Sequence, residues 1–364
     1  MKYKENWSET KERFDAWWKR SSLGRPMLKL VARREQPLED LEPETPFDVP
    51  VDMHLGVVEK IKRLKNVIRS HAYMAESFPA LDLNIGPGSL AVYLGSEPIF
   101  TCDTVWYKEV VRDWREFGAL KYDPENYWWK RHLEHIRQAK SLSHDEFLVN
   151  IPDIVENVDI LSALRGPQNL CYDLIDEPDL IKDYVRQVDQ LYFKYYNSLY
   201  DIVKLADGSS SYTAYSVWGT GKTAKVQCDF SALMSPSQFR EYVQPSLRSQ
   251  CRLLDHSIYH LDGPDAIKHV DALMEIEELD ALQWTAGAGR PDGGCEMWYP
   301  IYDKVKAAGK SLWISIYDGN LQKMTDSADK LVKRYGSEGL YLIFPVMLER
   351  DAQDILDKAN QEWK

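Results

Sequence analysis

Short apolar runs alternate with longer segments of helical period from about residue 80 to the end of the chain, and this alternation constrains the fold more than any other feature. The apolar runs cover residues 81–85, 147–151, 211–217, 257–260, 280–284, 312–316 and 340–344. The helical segments cover residues 124–140, 160–170, 178–206, 236–255, 265–275, 299–308, 327–335 and 351–363. Strands joined through helices run parallel, so the pattern predicts an α/β fold, and the number of units favours a (β/α)8 TIM barrel over an open sheet.

The N-terminal part of the chain does not follow this alternation. We expect residues 1–76 to form a helical extension packed on a barrel of residues 77–364. Residues 8–19 and 57–73 have helical apolar spacing, whereas residues 25–50 are rich in proline and acids and are typical of an irregular surface segment. The first helix would pack through Phe14, Trp17 and Trp18.

Composition excludes several classes of function. The chain has 364 residues and a net charge of −12 at pH 7, which argues against a nucleic-acid partner or an anionic membrane surface. Five cysteines without a CxxC pair are typical of a reducing compartment. Because no run of about 18 apolar residues occurs, no membrane span is predicted. We therefore expect a cytoplasmic monomer or homodimer.

A phosphate-binding loop is the nearest match to a nucleotide motif. Residues 219–223 end in its Gly-Lys-Thr sequence, but the glycine required five residues before Gly221 is Ser216. The residues that follow are strand-like rather than helical, so we interpret the segment as a turn. No nucleotide cofactor is expected.

The most informative local stretch is the apolar run that ends in His260 and Asp262. Side chains two apart on an extended chain share a face, so both would project from the carboxyl end of the same strand. Ionisable residues at this end of parallel strands are typical of catalysis. A histidine held only by a structural hydrogen bond is the alternative interpretation.

Polar and aromatic residues just after the other apolar runs are candidates for the same mouth of the barrel. The candidate substrate-binding residues are Asn84, Asp153, Glu156, Asn157, Tyr215, Trp218, Gln283, Trp284 and Tyr317. Such a mixture of acids and rings suits a cationic, methylated or ring-bearing ligand. Asp153 and Glu156 could instead cap a helix, and the tryptophans could serve packing alone.

Several of these motifs carry a family resemblance. Residues 233–236 with Phe239 and Pro245, residues 259–263 and residues 279–283 resemble the second half of the uroporphyrinogen decarboxylase superfamily, which includes corrinoid-dependent methyltransferases. Weaker matches extend the resemblance over most of residues 78–364, so the chain resembles a divergent member. The resemblance implies an eight-stranded barrel.

The resemblance also implies a metal site. In the methyltransferases a His-x-Cys pair and a later Cys bind zinc; His260 matches the histidine, Asp262 replaces the first thiol, and residues 344–346 contain no second one. His260 with Asp262 is therefore a possible zinc site, which Glu349 or Cys295 would have to complete. The arginine-rich motif expected of tetrapyrrole decarboxylation is poorly matched, so that activity is not expected.

Three functions remain open. The first is transfer of a methyl or other one-carbon group between a small substrate and a corrinoid protein or thiol acceptor. The second is a metal-free lyase, most simply a decarboxylase of a small carboxylic acid, in which His260 acts as acid or base and Asp262 orients it or carries the negative charge. The third is a barrel that binds a ligand without turnover.

Overall fold

The computed structural model describes residues 1–212 and 215–364. Its α-helices are α1 Trp7–Trp18, α2 Pro50–Leu55, α3 Val57–Ser70, α4 Leu90–Tyr93, α5 Trp114–Phe117, α6 Tyr127–Leu142, α7 Asn157–Arg165, α8 Pro167–Asp176, α9 Pro178–Val203, α10 Pro236–Gln238, α11 Gln244–Cys251, α12 Val270–Met274, α13 Tyr299–Ala307, α14 Leu321–Tyr335 and α15 Glu349–Glu362. Its strands are β1 Met27–Arg33, β2 His71–Ala75, β3 Ala80–Leu81, β4 Pro98–Phe100, β5 Val105–Tyr107, β6 Leu148–Val149, β7 Ser210–Tyr212, β8 Val217–Gly219, β9 Thr223–Gln227, β10 His256–Asp262, β11 Ala281–Thr285, β12 Ser311–Ser315, β13 Leu340–Ile343 and β14 Met347–Leu348. Shorter turns of helix lie at Asp229–Leu233, Phe239–Val243, Pro264–His269 and Glu296–Trp298.

The central sheet is largely parallel, which confirms the α/β fold. Its strands lie in the order β14-β1-β13-β12-β11-β10-β9, and β2 joins β1 in the antiparallel direction. A separate parallel pair joins β3 to β6, and an isolated bridge links Ile151 to Tyr212 at the end of β7. Among the described residues no ladder connects these groups into a ring, so closure of a barrel stays a prediction.

The helices form where the sequence supplies both a start signal and an apolar stripe. Helix α9 has Pro178 in its first turn, where a missing N–H costs nothing, and it buries a residue at every third or fourth position. Helix α14 begins at Asn320, whose side chain accepts a hydrogen bond from the Lys323 amide, and ends at Gly336 with φ of 73°. Both helices overlap the segments predicted for them, residues 178–206 and 327–335, but α14 begins six residues earlier than predicted because Asn320 supplies the N-cap.

Two expectations about strands are corrected. Residues 25–50, expected to be irregular, contain β1, whose alternate residues Leu28, Leu30 and Ala32 are fully buried inside the sheet. The expected strand over residues 211–217 is the antiparallel hairpin of β7 and β8, and two of its residues lie outside those described. The parallel partner of β10 is instead β9, which follows the hairpin.

Helix α1 covers the amino-terminal end of the parallel strands. Trp17 contacts Tyr341 with ring centroids 5.7 Å apart, and the Ser311 hydroxyl at the start of β12 donates to the Trp17 carbonyl at 2.6 Å. The Trp18 ring stacks on His256, the first residue of β10, at 4.8 Å. Burial of such large rings contributes several kcal/mol, so α1 is an integral part of the core.

A buried ion pair lies beside this end of the sheet. Arg25 donates two hydrogen bonds to the Glu76 carboxylate, at 2.8 and 2.9 Å, and the Leu28 amide donates a third at 2.7 Å. Both charged side chains are at least 95% buried, and each finds its partner within the fold. Within the described residues, no helix is both long and apolar enough to cross a membrane.

Candidate functional site

Alternation along three neighbouring strands places polar side chains on one face of the sheet. The residues are Lys225 and Gln227 of β9, His260 and Asp262 of β10, and Gln283 and Thr285 of β11. The registers place His260 directly between Gln227 and Gln283. The carboxyl end of the sheet therefore has a continuous polar surface.

Asp229, His260 and Asp262 come together at this edge. Each can offer one ligand atom, and these three atoms lie within 4.8 Å of one another. His260 is half-buried, while both carboxylates reach solvent. One imidazole and two carboxylates form a donor set that binds divalent ions such as zinc. We call these three residues the mouth triad.

The imidazole of His260 is held by two residues of β11. Its Nδ1 is hydrogen-bonded to the Gln283 carbonyl oxygen, and the Gln283 amide nitrogen donates to the Thr285 hydroxyl at 2.8 Å. In this arrangement Nδ1 carries the proton and Nε2 keeps a lone pair. Burial lowers the pKa of His260, and the cationic Lys225 acts in the same direction, so the ring is neutral and able to bind a cation or a proton.

Within the mouth triad, Asp229 has a pKa far above its ordinary value. Partial burial in the concave edge raises its pKa to about 7, and repulsion from Asp159 adds to the shift. The side-chain amide nitrogen of Gln227 donates to both carboxylates, at 3.0 Å to Asp229 and 3.2 Å to Asp159. A carboxyl group with this pKa holds or releases a proton near neutral pH.

Lys225 forms the floor of the site. Its ammonium group is buried between Asp153 and the side-chain carbonyl of Gln227. Asp153 also accepts a hydrogen bond from the Tyr212 hydroxyl at 3.1 Å, and its amide donates to the Asn84 side chain at 3.0 Å. Asn84 and Asp153 therefore belong to one buried network that fixes the position of a cation below the triad.

Glu156 and Asn157 brace β9 from the start of α7. One Glu156 carboxylate oxygen accepts a hydrogen bond from the backbone amide of Gln227 at 2.7 Å. The Asn157 side chain donates to the backbone carbonyl of Gln227, also at 2.7 Å. Burial raises the pKa of Glu156 well above its ordinary value. Both side chains contact the backbone of the site rather than the mouth, so their geometry fits a supporting role.

The aromatic candidates separate into two groups. The Tyr215 ring lies 5.6 Å from the His260 ring, at the mouth. Trp218 packs on Trp7 of α1 at 5.9 Å, at the other end of the sheet, because its hairpin folds back towards the amino-terminal ends of the strands. Its expected role in substrate binding is therefore not supported by its position.

Trp284 and Tyr317 are the two remaining candidates. Trp284 points to the opposite face of β11 from Gln283, since adjacent strand residues alternate, and its ring packs on Trp298 at 4.9 Å. Tyr317 is 51% exposed on the loop after β12. The structure thus brings together His260, Asp262, Gln283, Tyr215, Asn84 and Asp153 around one site.

An open cleft of about 440 Å³ adjoins the triad. It is lined by Pro87, Gly88, Trp106, Tyr107, Glu109, Val155, Asp159, Ser162, Ala163, Pro167, Gln227, Asp229, Phe230 and Leu233. Asp229 belongs to both the cleft and the triad, so the two are continuous. We call this space the aromatic cleft.

The hairpin of β4 and β5 forms one wall of the aromatic cleft. The Tyr107 hydroxyl contacts the carbonyls of Ile85 and Pro87, at 2.9 and 2.7 Å. Gly86 allows this close approach, because its φ is 76° and a Cβ there would lie 2.7 Å from the Tyr107 hydroxyl. The neighbouring Trp106 is 64% exposed.

Sequence reasoning missed Asp229, Lys225 and Gln227. The sequence signal for these three residues is the alternation of polar side chains along residues 225–229, directly after the Gly-Lys-Thr turn. The strand was instead expected at residues 211–217, before that turn. Glu349 and Cys295, expected to complete a metal site, do not belong to the triad: Glu349 lies 3.6 Å from Arg34. The third donor, Asp229, instead comes from the short helical turn that follows the neighbouring strand β9.

Comparisons with known proteins add a likeness of fold. A solved structure of a methyltransferase from Methanosarcina mazei matches with a TM-score of 0.64 at 12% identity, covering 97% of this chain and 98% of that one. An aldo-keto reductase structure from Pseudomonas aeruginosa matches at a TM-score of 0.29 and 11% identity, covering 74% of this chain and 95% of the other, which supports no argument. No family model and no curated protein matches.

Proposed function

We propose that this protein is an enzyme that transfers a methyl group between a small substrate and a corrinoid protein or thiol acceptor. The observation that carries the proposal is the mouth triad, which collects one imidazole and two carboxylates at the carboxyl ends of parallel strands. The likeness of fold to a methyltransferase over almost the whole chain agrees with it. On this proposal the chain is a divergent uroporphyrinogen decarboxylase-like barrel.

The strand order is compatible with that barrel. The ladder from β9 through β13 to β1 supplies six parallel neighbours, while β3, β6 and β7 lie in sequence between its two ends. We propose that β3 and β6 bring the wall to eight strands, with β7 bridged to the segment just after β6. In a barrel, the triad would lie at the mouth where catalytic residues usually collect.

The triad fits a catalytic zinc ion. Asp229, Asp262 and Nε2 of His260 would hold it, leaving a further position for an exogenous ligand, as catalytic zinc sites require. When bound, zinc stabilises a thiolate and so supplies a nucleophile at neutral pH. The absence of thiol ligands distinguishes this site from the sulfur-rich site implied by the family resemblance.

The chain's own residues then have separate tasks. Gln283 and Thr285 hold the His260 ring so that Nε2 faces the mouth. Asp229 gives up its proton when it binds the ion, and the buried Lys225 offsets part of the negative charge of the carboxylates around it. Tyr215 covers one side of the imidazole and restricts water there.

A metal-free decarboxylase is the second candidate, because the pKa of Asp229 is about 7. A protonated Asp229 can deliver a proton to a carbanion formed when carbon dioxide leaves a small carboxylic acid, and the positive charge of Lys225 would stabilise the developing negative charge. This reaction requires no metal. Its products therefore distinguish it from methyl transfer.

The test measures zinc first and turnover second. Protein purified with added zinc and then desalted should hold about one equivalent; His260→Ala and Asp262→Asn should each lower the zinc affinity at least ~10-fold. Asp265→Asn is the matched control, since this exposed carboxylate lies three residues beyond Asp262 and outside the triad. Methylcobalamin and a small thiol should yield the methyl thioether with the zinc-loaded protein.

Two results would contradict the proposal. One is less than about a tenth of an equivalent of zinc in the parent protein, and the other is thioether formation that chelator leaves unchanged. Release of carbon dioxide from a supplied carboxylic acid by the chelated protein, lost in Asp229→Asn, would select the decarboxylase instead.

A further inference from the structure

The aromatic cleft has the lining of a site for an organic cation. Rings are supplied by Trp106, Tyr107 and Phe230, and carboxylates by Glu109, Asp159 and Asp229. The described residues that line it include no lysine, arginine or histidine. Ring faces and carboxylates both attract positive charge, whereas an anion would find no positively charged side chain here.

Not all of the negative charge in the cleft is neutralised by the protein. Asp159 accepts hydrogen bonds from the amides of Asp229 and Phe230, both at 2.8 Å, so its oxygens are occupied. Lys225 already forms an ion pair with Asp153. Asp229 and Glu109 form no ion pair within the described chain, and they face a space that a positively charged ligand can enter.

We propose that the aromatic cleft binds the methylammonium group of a cationic substrate, quaternary or tertiary at nitrogen, with Trp106 and Phe230 against its methyl groups and Glu109 near its charge. The proposal rests on the methyl transfer proposed above and names the substrate class for the same site. The cleft volume of about 440 Å³ accommodates such a group together with a short chain attached to it.

The chemistry of the reaction favours a cationic nitrogen. When a nucleophile's lone pair forms the new bond to the methyl carbon, the pair of the breaking C–N bond stays on nitrogen. A quaternary ammonium then leaves as a neutral tertiary amine, and no oxidant or reductant is needed. Loss of its charge also weakens its attraction to Glu109, which promotes release of the product.

A second cleft of the same volume serves as an internal comparison. It lies between the start of α14 and the side of α15 and is lined by Asn320, Leu321, Gln322, Thr325, Asp354, Ile355 and Lys358. No aromatic ring lines it, and it contains a lysine. Equal size with different chemistry shows that volume alone does not favour the aromatic cleft; its rings and acids do.

Choline and 3,3-dimethyl-1-butanol provide the test, because they have the same shape and differ in charge. Titration calorimetry on the chelator-treated, full-length protein should show choline binding at least ~10-fold more tightly than the neutral alcohol. Trp106→Ala should weaken choline binding about 5-fold, within the range for a partly exposed cation–π contact. Glu109→Gln should weaken it by a similar factor.

Ile99→Ala is the matched control for Trp106→Ala. The two residues are cross-strand partners in the same hairpin, both are exposed, and Ile99 does not line the cleft. Equal binding of choline and the alcohol, equal loss in the two variants, or no choline binding at 20 mM would overturn the inference. Since the measurement uses metal-free protein, choline binding can succeed where zinc binding fails, and the reverse, so the two proposals fail separately.

Discussion

The two ends of the parallel sheet use carboxylates in opposite ways. At the amino-terminal end, Glu76 is buried and receives three hydrogen bonds from Arg25 and the Leu28 amide. At the carboxyl end, Asp229 and Asp262 reach solvent and form no ion pair within the described residues. A paired, buried charge specifies the fold, whereas an unpaired charge at the surface of a concave edge is available to a ligand.

The first way to test this comparison is to remove the structural charge. Glu76→Gln leaves Arg25 buried without a counter-ion, which costs about 3–5 kcal/mol of unfolding free energy. Urea unfolding followed by circular dichroism measures the loss. Glu39→Gln is the control, because Glu39 pairs with Arg69 at the surface and exposed pairs contribute about 1 kcal/mol or less. Equal losses in the two variants would remove the distinction between paired and exposed charge at this end.

A smaller effect is expected from the residues that hold His260. Gln283→Leu should lower zinc affinity about 10-fold without loss of the protein's fold, since it frees the imidazole to change tautomer and orientation. Thr285→Val should act in the same direction, and Thr285→Ser should restore the parent affinity because it keeps the hydroxyl. Competition with a coloured chelator measures each value; parental affinity in Gln283→Leu would show that the ring is held by packing alone.

The pH dependence of Asp229 should be the smallest effect, because its side chain reaches solvent, and screening there reduces the free energy that follows from the shifted pKa. Its pKa rises from 3.8 to about 7 on folding, so the folded state keeps a proton that the unfolded state loses. The metal-free protein should therefore lose stability as the pH rises from about 4 to 7. Asp229→Asn should be more stable than the parent at pH 8, with the difference shrinking at pH 4, when thermal unfolding is measured in chelator.

The exposed Asp265 supplies the control for this titration. Asp265→Asn should follow the pH profile of the parent, since the residue is outside the triad. A parent and an Asp229→Asn variant with parallel profiles between pH 4 and 8 would contradict the raised pKa that we assign to Asp229, of which burial is the main cause.

The parallel strands in the second half of the chain could be predicted from the sequence. Of the mouth triad, His260 and Asp262 could be predicted with them, because both lie on one strand. The apolar runs ending at His260 and near Trp284 are unbroken, so the period of the pattern identifies them as buried strands. His260 and Asp262 lie on one strand, two residues apart. Their shared face follows from strand geometry without any tertiary information.

The proximity of Asp229 to His260 could not be predicted from the local sequence pattern. It lies more than thirty residues before His260, and only the pairing of β9 with β10 brings the two together. The position of Trp218 was unpredictable for the same reason, because a hairpin that folds back towards α1 has the same composition as a strand that leads into the mouth. Strand β1 was missed since its apolar run is flanked by prolines and acids typical of loops.

Helix α1 has a consequence for the order of assembly. The Trp17 indole donates to the carbonyl of Leu312 at 3.4 Å, across 295 positions of sequence, and Trp18 donates to Trp218 across 200. A nascent chain emerging from the ribosome exposes these rings long before their partners are synthesised. Contacts with such long separations slow folding, so we expect the final docking of the first helix to wait until translation is almost complete.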